Sequence, residues 1–424
     1  MKKRIISLAL ILAMLATAML SLSSCALLNG DSLLDMLTGG GNSDGKTPEG
    51  DTVINVEGGD SYNVSIYPEG EDNLLTASHA LLSTVSVIAA FEEAPTGYGI
   101  TDSEKYYSAG AGVIYKLDKA NGNAYVITNF HVVYDKDSNA QNKISQEINL
   151  CLYGQESQDY YIPATFIGGS MNYDIAVLEV KASPVLIASN AIEAKFANSD
   201  TVEVLETAIA IGNPKGHGIA ATVGHVNVDS EYITMTASDE RTEVSIRVIR
   251  TDAAVNGGNS GGGLFNSRGE VIGIVNAKIV DTEVENFGYA IPSNVAKYIA
   301  ENILYYCLNT SKECVYRCIL GISVTVGEAY TEYDVETGKI TKVQLPKVVE
   351  ITEGSAAEGK FKVDDFIIGM TIDGTEYSVT RQHHIIDNML NVRPGSTVTF
   401  TVKRGGGTET VTVTTTENML QAYR

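Results

Sequence analysis

The stretch TDAAVNGGNSGGGLFNSRGEVIGI, residues 251–274, sets Ser260 in a run of glycines, NGGNSGGG. Glycine allows positive φ angles and close backbone approach, so a tight turn here can aim neighbouring N–H groups at one point. The apolar segment that follows, GEVIGI, is typical of a strand. A glycine-rich turn alone is more often a plain surface loop, so its meaning depends on the rest of the chain.

Short apolar runs rich in Val, Ile and Tyr, separated by Gly and Asn-Gly signals, surround this stretch. They read GAGVIYKL, AYVITNFHVV, DIAVLEV, TAIAIGNP, GEVIGIVNAKI and FGYAIP. This pattern predicts an all-β barrel or sandwich, and the sequence contains no Rossmann fingerprint, P-loop or βα alternation. After Pro292 we predict a helix with Val295, Ile299 and Ile303 on one face.

The chain of 424 residues is long enough for two or three domains, and its 44% apolar content permits a sizeable core. Its 30 Lys and Arg against 52 Asp and Glu give a formal charge of -22, which argues against a nucleic-acid partner. A second β-rich part begins near Cys318. It contains a helix candidate, Thr380 to Leu390, and a predicted hairpin, VTFTVKRGGGTETVTV.

The N-terminus carries an export signal. The basic MKKR and an apolar run from Ile5 to Leu22 precede LSSC, which resembles a bacterial lipoprotein signal with lipid on Cys25. An uncleaved transmembrane helix is the alternative. We predict a signal peptide at 1–24, a flexible tether at 25–73, and an extracytoplasmic, lipid-anchored protein.

Four cysteines remain besides the lipidated one: Cys151, Cys307, Cys314 and Cys318. The last three cluster, so one disulfide among them is possible in an exported protein, and unpaired thiols are the alternative. No CxxC pair indicates a metal site. We predict neither a metal nor a cofactor.

Serine acyl transfer needs a nucleophile, a base and an orienting acid, together with N–H donors for the oxyanion. Ser260 is the candidate nucleophile. His131 ends the strand-like YVITNFH, and Asp174 precedes a strand in NYDIAVLEV. Taken singly, each is equally typical of a structural position. Together, and in the order His, Asp, Ser, they predict a catalytic triad.

The residues at and around these positions resemble the HtrA/DegP family of trypsin-like serine proteases, which have a double β-barrel. The motifs that carry the likeness are TNFHVV, DIAVLEV, AIGNPKG, TDAAVNGGNSGGGLFNSRGEVIGI and FGYAIPSN. The resemblance covers roughly residues 74–304. It implies that Ser260 is the nucleophile, His131 the general base and acid, and Asp174 the orienting carboxylate.

The resemblance also implies an oxyanion hole at Gly258, Asn259 and Ser260. The family usually has proline where this chain has Gly257 and Gly263. Because glycine has more conformations to lose than proline, we expect a looser oxyanion loop that orders when substrate or a partner binds.

Substrate contacts follow from the same resemblance. Ala254 falls at the base of the S1 pocket, and a small apolar residue there implies medium apolar residues at the cleavage site. Asn276, Ala277 and Lys278 match the strand that pairs with the substrate backbone.

The C-terminal part resembles a PDZ domain of the same family, in CILGISV and ITEGSAAEGKFKVDDFIIGMTIDG. Leu320, Gly321 and Ile322 match the loop that receives a peptide's C-terminal carboxylate. We therefore predict a mainly β chain, with a trypsin-like double-barrel protease domain at 74–306 and one PDZ domain at 315–416. A purely structural β domain is the alternative for the second part.

The predicted function is a membrane-tethered serine endoprotease that cleaves unfolded or damaged proteins and binds C-terminal peptides in its PDZ groove. Family members commonly form homotrimers, which the resemblance makes possible here. The first alternative is a non-catalytic peptide-binding or chaperone protein with the same fold. A structural lipoprotein with a carbohydrate-binding sandwich is a more distant one.

Overall fold

The computed structural model describes residues 73–92, 105–278, 287–310 and 315–423. The predicted signal peptide, Cys25, Cys314 and the tether up to residue 72 lie outside these ranges. None of the helices within them is long and apolar enough to cross a membrane.

The first barrel is closed by six antiparallel strands. Its strands are β1 (Thr84–Glu92), β2 (Lys105–Asp118), β3 (Asn123–Thr128), β4 (Glu147–Leu152), β5 (Ile162–Ser170) and β6 (Ile175–Val180). They pair in the order β1-β2-β3-β6-β5-β4, so the ring has no free edge. Alternate β1 residues, Val85, Val87 and Ala89, are buried in its core, as the period of two in a strand requires.

The second barrel is also closed by pairing between its strands. Its strands are β7 (Lys195–Phe196), β8 (Thr207–Gly212), β9 (Ala220–Thr236), β10 (Glu243–Thr251), β11 (Gly263–Phe265), β12 (Glu270–Val275) and β13 (Gly288–Pro292). The order is β11-β8-β9-β10-β13-β12-β7, and an additional pairing of β11 with β12 closes the ring. The predicted double-barrel architecture is confirmed.

Within the described ranges, five α-helices connect and cover the sheets: α1 (Asn73–Leu82), α2 (Phe130–Val133), α3 (Pro184–Ala188), α4 (Ser293–Thr310) and α5 (Gln382–Asn388). In α4, Val295, Ile299 and Ile303 are buried, as their spacing predicts. The helix continues past residue 306, the predicted end of the protease domain.

The C-terminal part contains two sheets. Its strands are β14 (Val315–Cys318), β15 (Ile322–Tyr333), β16 (Ile340–Ile351), β17 (Phe366–Ile372), β18 (Thr375–Ser378), β19 (Thr397–Arg404), β20 (Gly407–Thr414) and β21 (Leu420–Tyr423). The larger sheet runs β15-β16-β17-β19-β20, with β18 on β17, and β14 pairs with β21. Strand β15 is therefore an edge strand.

Two of the cysteines lie in the protein interior. Cys151 and Cys318 are buried free thiols, and burial raises the pKa of each to about 11. A disulfide that includes Cys318 is therefore not formed. The Cys307 thiol lies 3.3 Å from the carbonyl oxygen of Ile167.

Candidate active site

His131 lies in α2, immediately after β3 of the first barrel. Its backbone N–H donates to Asp174 Oδ1 at 2.9 Å, and its ring Nδ1 lies 2.7 Å from Asp174 Oδ2. The His131 side chain is 18% exposed, whereas that of Asp174 is 3% exposed. The predicted acid thus fixes both the backbone and the ring of the predicted base.

Asp174 precedes β6 with a positive φ of 51°, a conformation that Asp tolerates better than most residues. Its carbonyl oxygen accepts hydrogen bonds from Asn129 Nδ2 at 2.8 Å and from the Phe130 N–H at 3.2 Å. These bonds tie the Asp174 turn to the residues before His131. The first barrel therefore holds the acid and the base as one rigid unit.

Ser260 lies between β10 and β11 of the second barrel and is buried. Its carbonyl oxygen accepts from the Ala111 N–H of the first barrel at 2.8 Å. Its Oγ accepts from the Ala277 N–H at 3.1 Å. Among the hydrogen bonds of the described ranges, none joins Ser260 Oγ to His131. The Ser260 hydroxyl is thus oriented towards residues 276–278, which form a turn after β12 and not the predicted strand.

Gly258 has a φ of 97°, which only glycine adopts readily, and its carbonyl accepts from the Asn213 N–H at 3.1 Å. The N–H groups of Gly258 and Ser260 have no acceptor within the part of the chain that the structure describes. The N–H of Asn259 instead donates to the Asn256 carbonyl at 2.9 Å. Of the three residues predicted to form the oxyanion hole, Asn259 thus has its N–H engaged within the loop.

The two glycines that replace the family's prolines differ in their surroundings. The carbonyl of Gly257 accepts from the Lys215 N–H at 2.9 Å, and a Cβ there would meet open space. Gly263 is not in the loop. It begins β11, pairs with Ile211 and Ile274, and a Cβ there would overlap the ring of Phe265.

The residues predicted to bind substrate border the same site. Ala254 is exposed, and its carbonyl accepts from Thr222 Oγ1 at 2.9 Å. Asn276 is fully buried, and its Nδ2 donates to Asp174 Oδ2 at 2.8 Å. Its Oδ1 accepts from the Lys278 N–H at 3.1 Å.

Sequence reasoning missed this side-chain role of Asn276. The residue was assigned to backbone pairing with substrate, yet its amide holds the orienting carboxylate from the second barrel. The sequence did contain one indication of this role: Asn276 directly follows the apolar run VIGIV. A side-chain amide buried beside such a run needs a hydrogen-bond partner.

In the C-terminal part, the predicted carboxylate loop packs against residues 352–357. The carbonyl of Leu320 accepts from the Ala357 N–H at 3.1 Å, and Gly321 has a φ of 86°. Ile322 then begins the edge strand β15. On the facing helix α5, Gln382 Nε2 donates to the Val324 carbonyl at 2.8 Å.

Comparisons with known proteins find similarity in both parts of the chain. Residues 110–274 match the family model of the trypsin-like peptidase domain, and residues 319–415 match that of the PDZ domain. "Serine protease Do-like HtrA" of Bacillus subtilis (strain 168) is 38% identical over 268 residues, which cover 62% of this chain and 54% of that protein. "Serine protease Do-like HtrB" of the same organism is 32% identical over 312 residues, covering 72% and 62%.

The chain spans about half the length of the curated relatives it matches. A solved structure, "HtrA-type protease AlgW with tripeptide", is similar with a TM-score of 0.48 and 24% sequence identity. The similarity covers 82% of this chain and 96% of that one.

Proposed function

We propose that this chain belongs to the HtrA/DegP family of trypsin-like serine proteases with a C-terminal PDZ domain, and that it is a serine endopeptidase. One observation carries the proposal. The turn at residues 276–278, directly after β12, contacts Ser260 Oγ through Ala277 and the carboxylate of Asp174 through Asn276. The nucleophile and the His131–Asp174 pair are therefore tied to the same short segment.

In the proposed mechanism, Ser260 Oγ first exchanges its contact with the Ala277 N–H for one with His131 Nε2. The oxygen then attacks the scissile carbonyl while His131 takes its proton, and Asp174 stabilises the imidazolium that forms. His131 next donates this proton to the leaving amine. Water attacks the acyl ester in the second half of the reaction, with His131 again acting as base.

The developing oxyanion needs donors that are already in place and not engaged elsewhere. The N–H groups of Gly258 and Ser260 meet this requirement, since neither has an acceptor within the described residues. Bonds from Asn213 to the Gly258 carbonyl and from Lys215 to the Gly257 carbonyl hold the loop. They support a loop that is more ordered than its glycines suggest.

We further propose that the substrates are unfolded or damaged proteins, a class that rests on the family. Medium apolar residues would bind next to Ala254, and the substrate backbone would pair with residues 276–278. C-terminal peptides would bind at Leu320, Gly321 and Ile322, along the edge of β15 that faces α5.

The cellular setting is part of the proposal. Lipid on Cys25 would anchor the protein outside the cytoplasm, with residues 25–73 as a tether and the protease and PDZ domains at 74–306 and 315–416. The name of one relative from Buchnera aphidicola, "Probable periplasmic serine endoprotease DegP-like", supports an extracytoplasmic site. Trimer formation is proposed on family likeness alone.

Labelling with a fluorophosphonate probe tests the enzymatic part, because the probe needs nucleophile, base and oxyanion hole together. We expect the wild-type protein to be labelled and to digest casein, and Ser260→Ala to do neither. A wild-type protein that resists labelling and leaves casein intact, with and without activating peptides, would instead be a non-catalytic peptide-binding or chaperone protein.

A further inference from the structure

The edge of β15 that faces α5 is already occupied at one position. Gln382, the first residue of α5, donates from its side-chain Nε2 to the Val324 carbonyl at 2.8 Å. Because a carbonyl can only accept, this bond fixes which end of the amide faces the strand. The Gln382 side chain therefore spans the space between the helix and the edge strand.

The Val324 carbonyl points away from the neighbouring strand. Val324 lies opposite Val348 of β16, and in an antiparallel ladder only the opposite residue can donate to this carbonyl. The Val348 N–H instead donates to the Asp365 carbonyl, and the Val348 carbonyl accepts from the Asp364 N–H, both at 2.9 Å. Gln382 thus supplies the partner that β16 does not provide.

A peptide that adds to this edge needs the same carbonyl. Strand addition is built on main-chain hydrogen bonds, and alternate residues of the edge strand offer their N–H and C=O to the incoming chain. A carboxylate bound at 320–322 lies at the start of β15, so the peptide runs antiparallel to it. Its last residue then lies beside Ile322 and the third from the end beside Val324. Gln382 therefore takes the place of the N–H of that peptide residue.

Apolar packing fills the space next to this bond. Ile322 and Val324 are half-buried and pack against the apolar cluster that includes Ile385 of α5. The edge strand and the helix therefore share one apolar core. An apolar peptide side chain that enters between them has to part these groups.

The start of α5 is held in place from its other sides. The Thr380 carbonyl accepts from the Gln344 N–H of β16 at 2.7 Å. Arg381 Nη1 pairs with Asp229 Oδ2 of β9 at 2.5 Å. The chain directly before Gln382 is thus fixed to the sheet and to the second barrel. Freeing the carbonyl of the edge strand therefore needs a rotation of the Gln382 side chain and no movement of the helix start.

We propose that the Gln382 side chain is an autoinhibitory gate on the peptide groove. It occupies the Val324 carbonyl in the resting protein, and a C-terminal peptide has to displace it before pairing with β15. The inference rests on the proposed binding of C-terminal peptides and adds a closed resting state to it. Because a peptide binds only the open form, the apparent affinity decreases by the fraction of protein that is open. One neutral hydrogen bond sets this factor at about 2- to 12-fold.

The gate has a kinetic signature. Side-chain rotation is fast compared with peptide encounter, so the closed form lowers the association rate constant in proportion to its population. After displacement, Gln382 no longer acts on the bound peptide through this bond, and the dissociation rate constant stays the same. A merely structural role at the helix start would instead change the dissociation rate constant or the melting temperature.

Peptide binding to the full-length protein tests the gate. The Ser260→Ala background prevents cleavage and makes the result independent of catalysis. The probe is a pool of short fluorescent peptides that end in Ala-X-Val, where the alanine offers no side-chain partner to a displaced amide. We expect Gln382→Ala to bind the pool about 2- to 12-fold more tightly than the parent, through a faster association, with an unchanged melting temperature.

Gln421→Ala is the matched control, because Gln421 is exposed on β21 of the same part of the chain, and it should bind like the parent. The same pool with amidated C-termini should bind neither protein. If Gln382→Ala binds no more tightly than the parent, or gains affinity through dissociation alone, the gate is refuted and peptide binding stands. If no carboxylate-dependent binding is seen in either protein, both the gate and the peptide-binding role are refuted.

Discussion

The buried amide of Asn276 is the basis of our most specific prediction. Its Nδ2 donates at 2.8 Å to Asp174 Oδ2, the same oxygen that lies 2.7 Å from the ring of His131. Asn276→Asp keeps the size of the side chain and the acceptor for the Lys278 N–H. It replaces only the donor to Asp174 by a second carboxylate oxygen.

The expected loss follows from this one bond. A hydrogen bond to a charged group contributes about 1.5–3 kcal/mol, and the Asp174 oxygen that loses it remains buried. If the whole loss falls on the transition state, the rate decreases about 10- to 150-fold. Repulsion between the two carboxylates adds to this effect.

The assay is the rate of fluorophosphonate labelling at Ser260 as a function of probe concentration. A positioning role for Asn276 lowers the maximal rate constant and leaves the half-saturating probe concentration unchanged. Asn139→Asp, an identical change at an exposed position of the first barrel, should label like wild type. A correctly folded Asn276→Asp protein that labels within threefold of wild type would refute the reasoning.

Three further predictions concern other parts of the chain. Gly258→Ala places a Cβ 2.2 Å from the Asn213 carbonyl oxygen at a φ of 97°, so the loop must shift; we expect labelling to fall about 10²- to 10³-fold and the melting temperature to decrease. Arg404→Ala leaves the buried Asp365, now 2.6 Å from Arg404 Nη2, without its charged partner and with only the Lys362 N–H as donor. We expect the free energy of unfolding to fall by about 3–5 kcal/mol in urea titrations, and a loss below 1 kcal/mol contradicts the assignment. Acidification from pH 7 to 5 should lower the free energy of unfolding by about 2 kcal/mol through His383. The pKa of His383 is lowered in the folded protein, so only the unfolded chain binds a proton at this residue below about pH 6.5. His383→Gln should remove this part of the pH dependence.

The sequence pattern was sufficient for the individual strands of the barrels, while their arrangement as a double barrel was predicted from the family resemblance. Strand-length apolar runs predicted β3 and β6, and these strands end and begin beside His131 and Asp174. Periodicity also predicted the buried face of α4. These features depend on local patterns, which a single chain displays directly.

Features that depend on contacts between distant segments could not be predicted. Asn276 and Asp174 are far apart in the chain, and nothing near either residue indicates that they bond. The proximity of Asp200 to His383 and His384 likewise requires the C-terminal part to pack against the second barrel. The adjacent histidines were visible in the sequence, but the acid beside them was not.

The packing at Gly263 has a consequence for protein engineering. Phe265 fills the volume that a proline ring at position 263 would need, so the two side chains are mutually exclusive in this backbone. A consensus design that restores proline at 263 alone should destabilise β11, whereas the same exchange with a smaller residue at 265 should be tolerated. Residues 263 and 265 should therefore be exchanged together when segments are swapped between relatives.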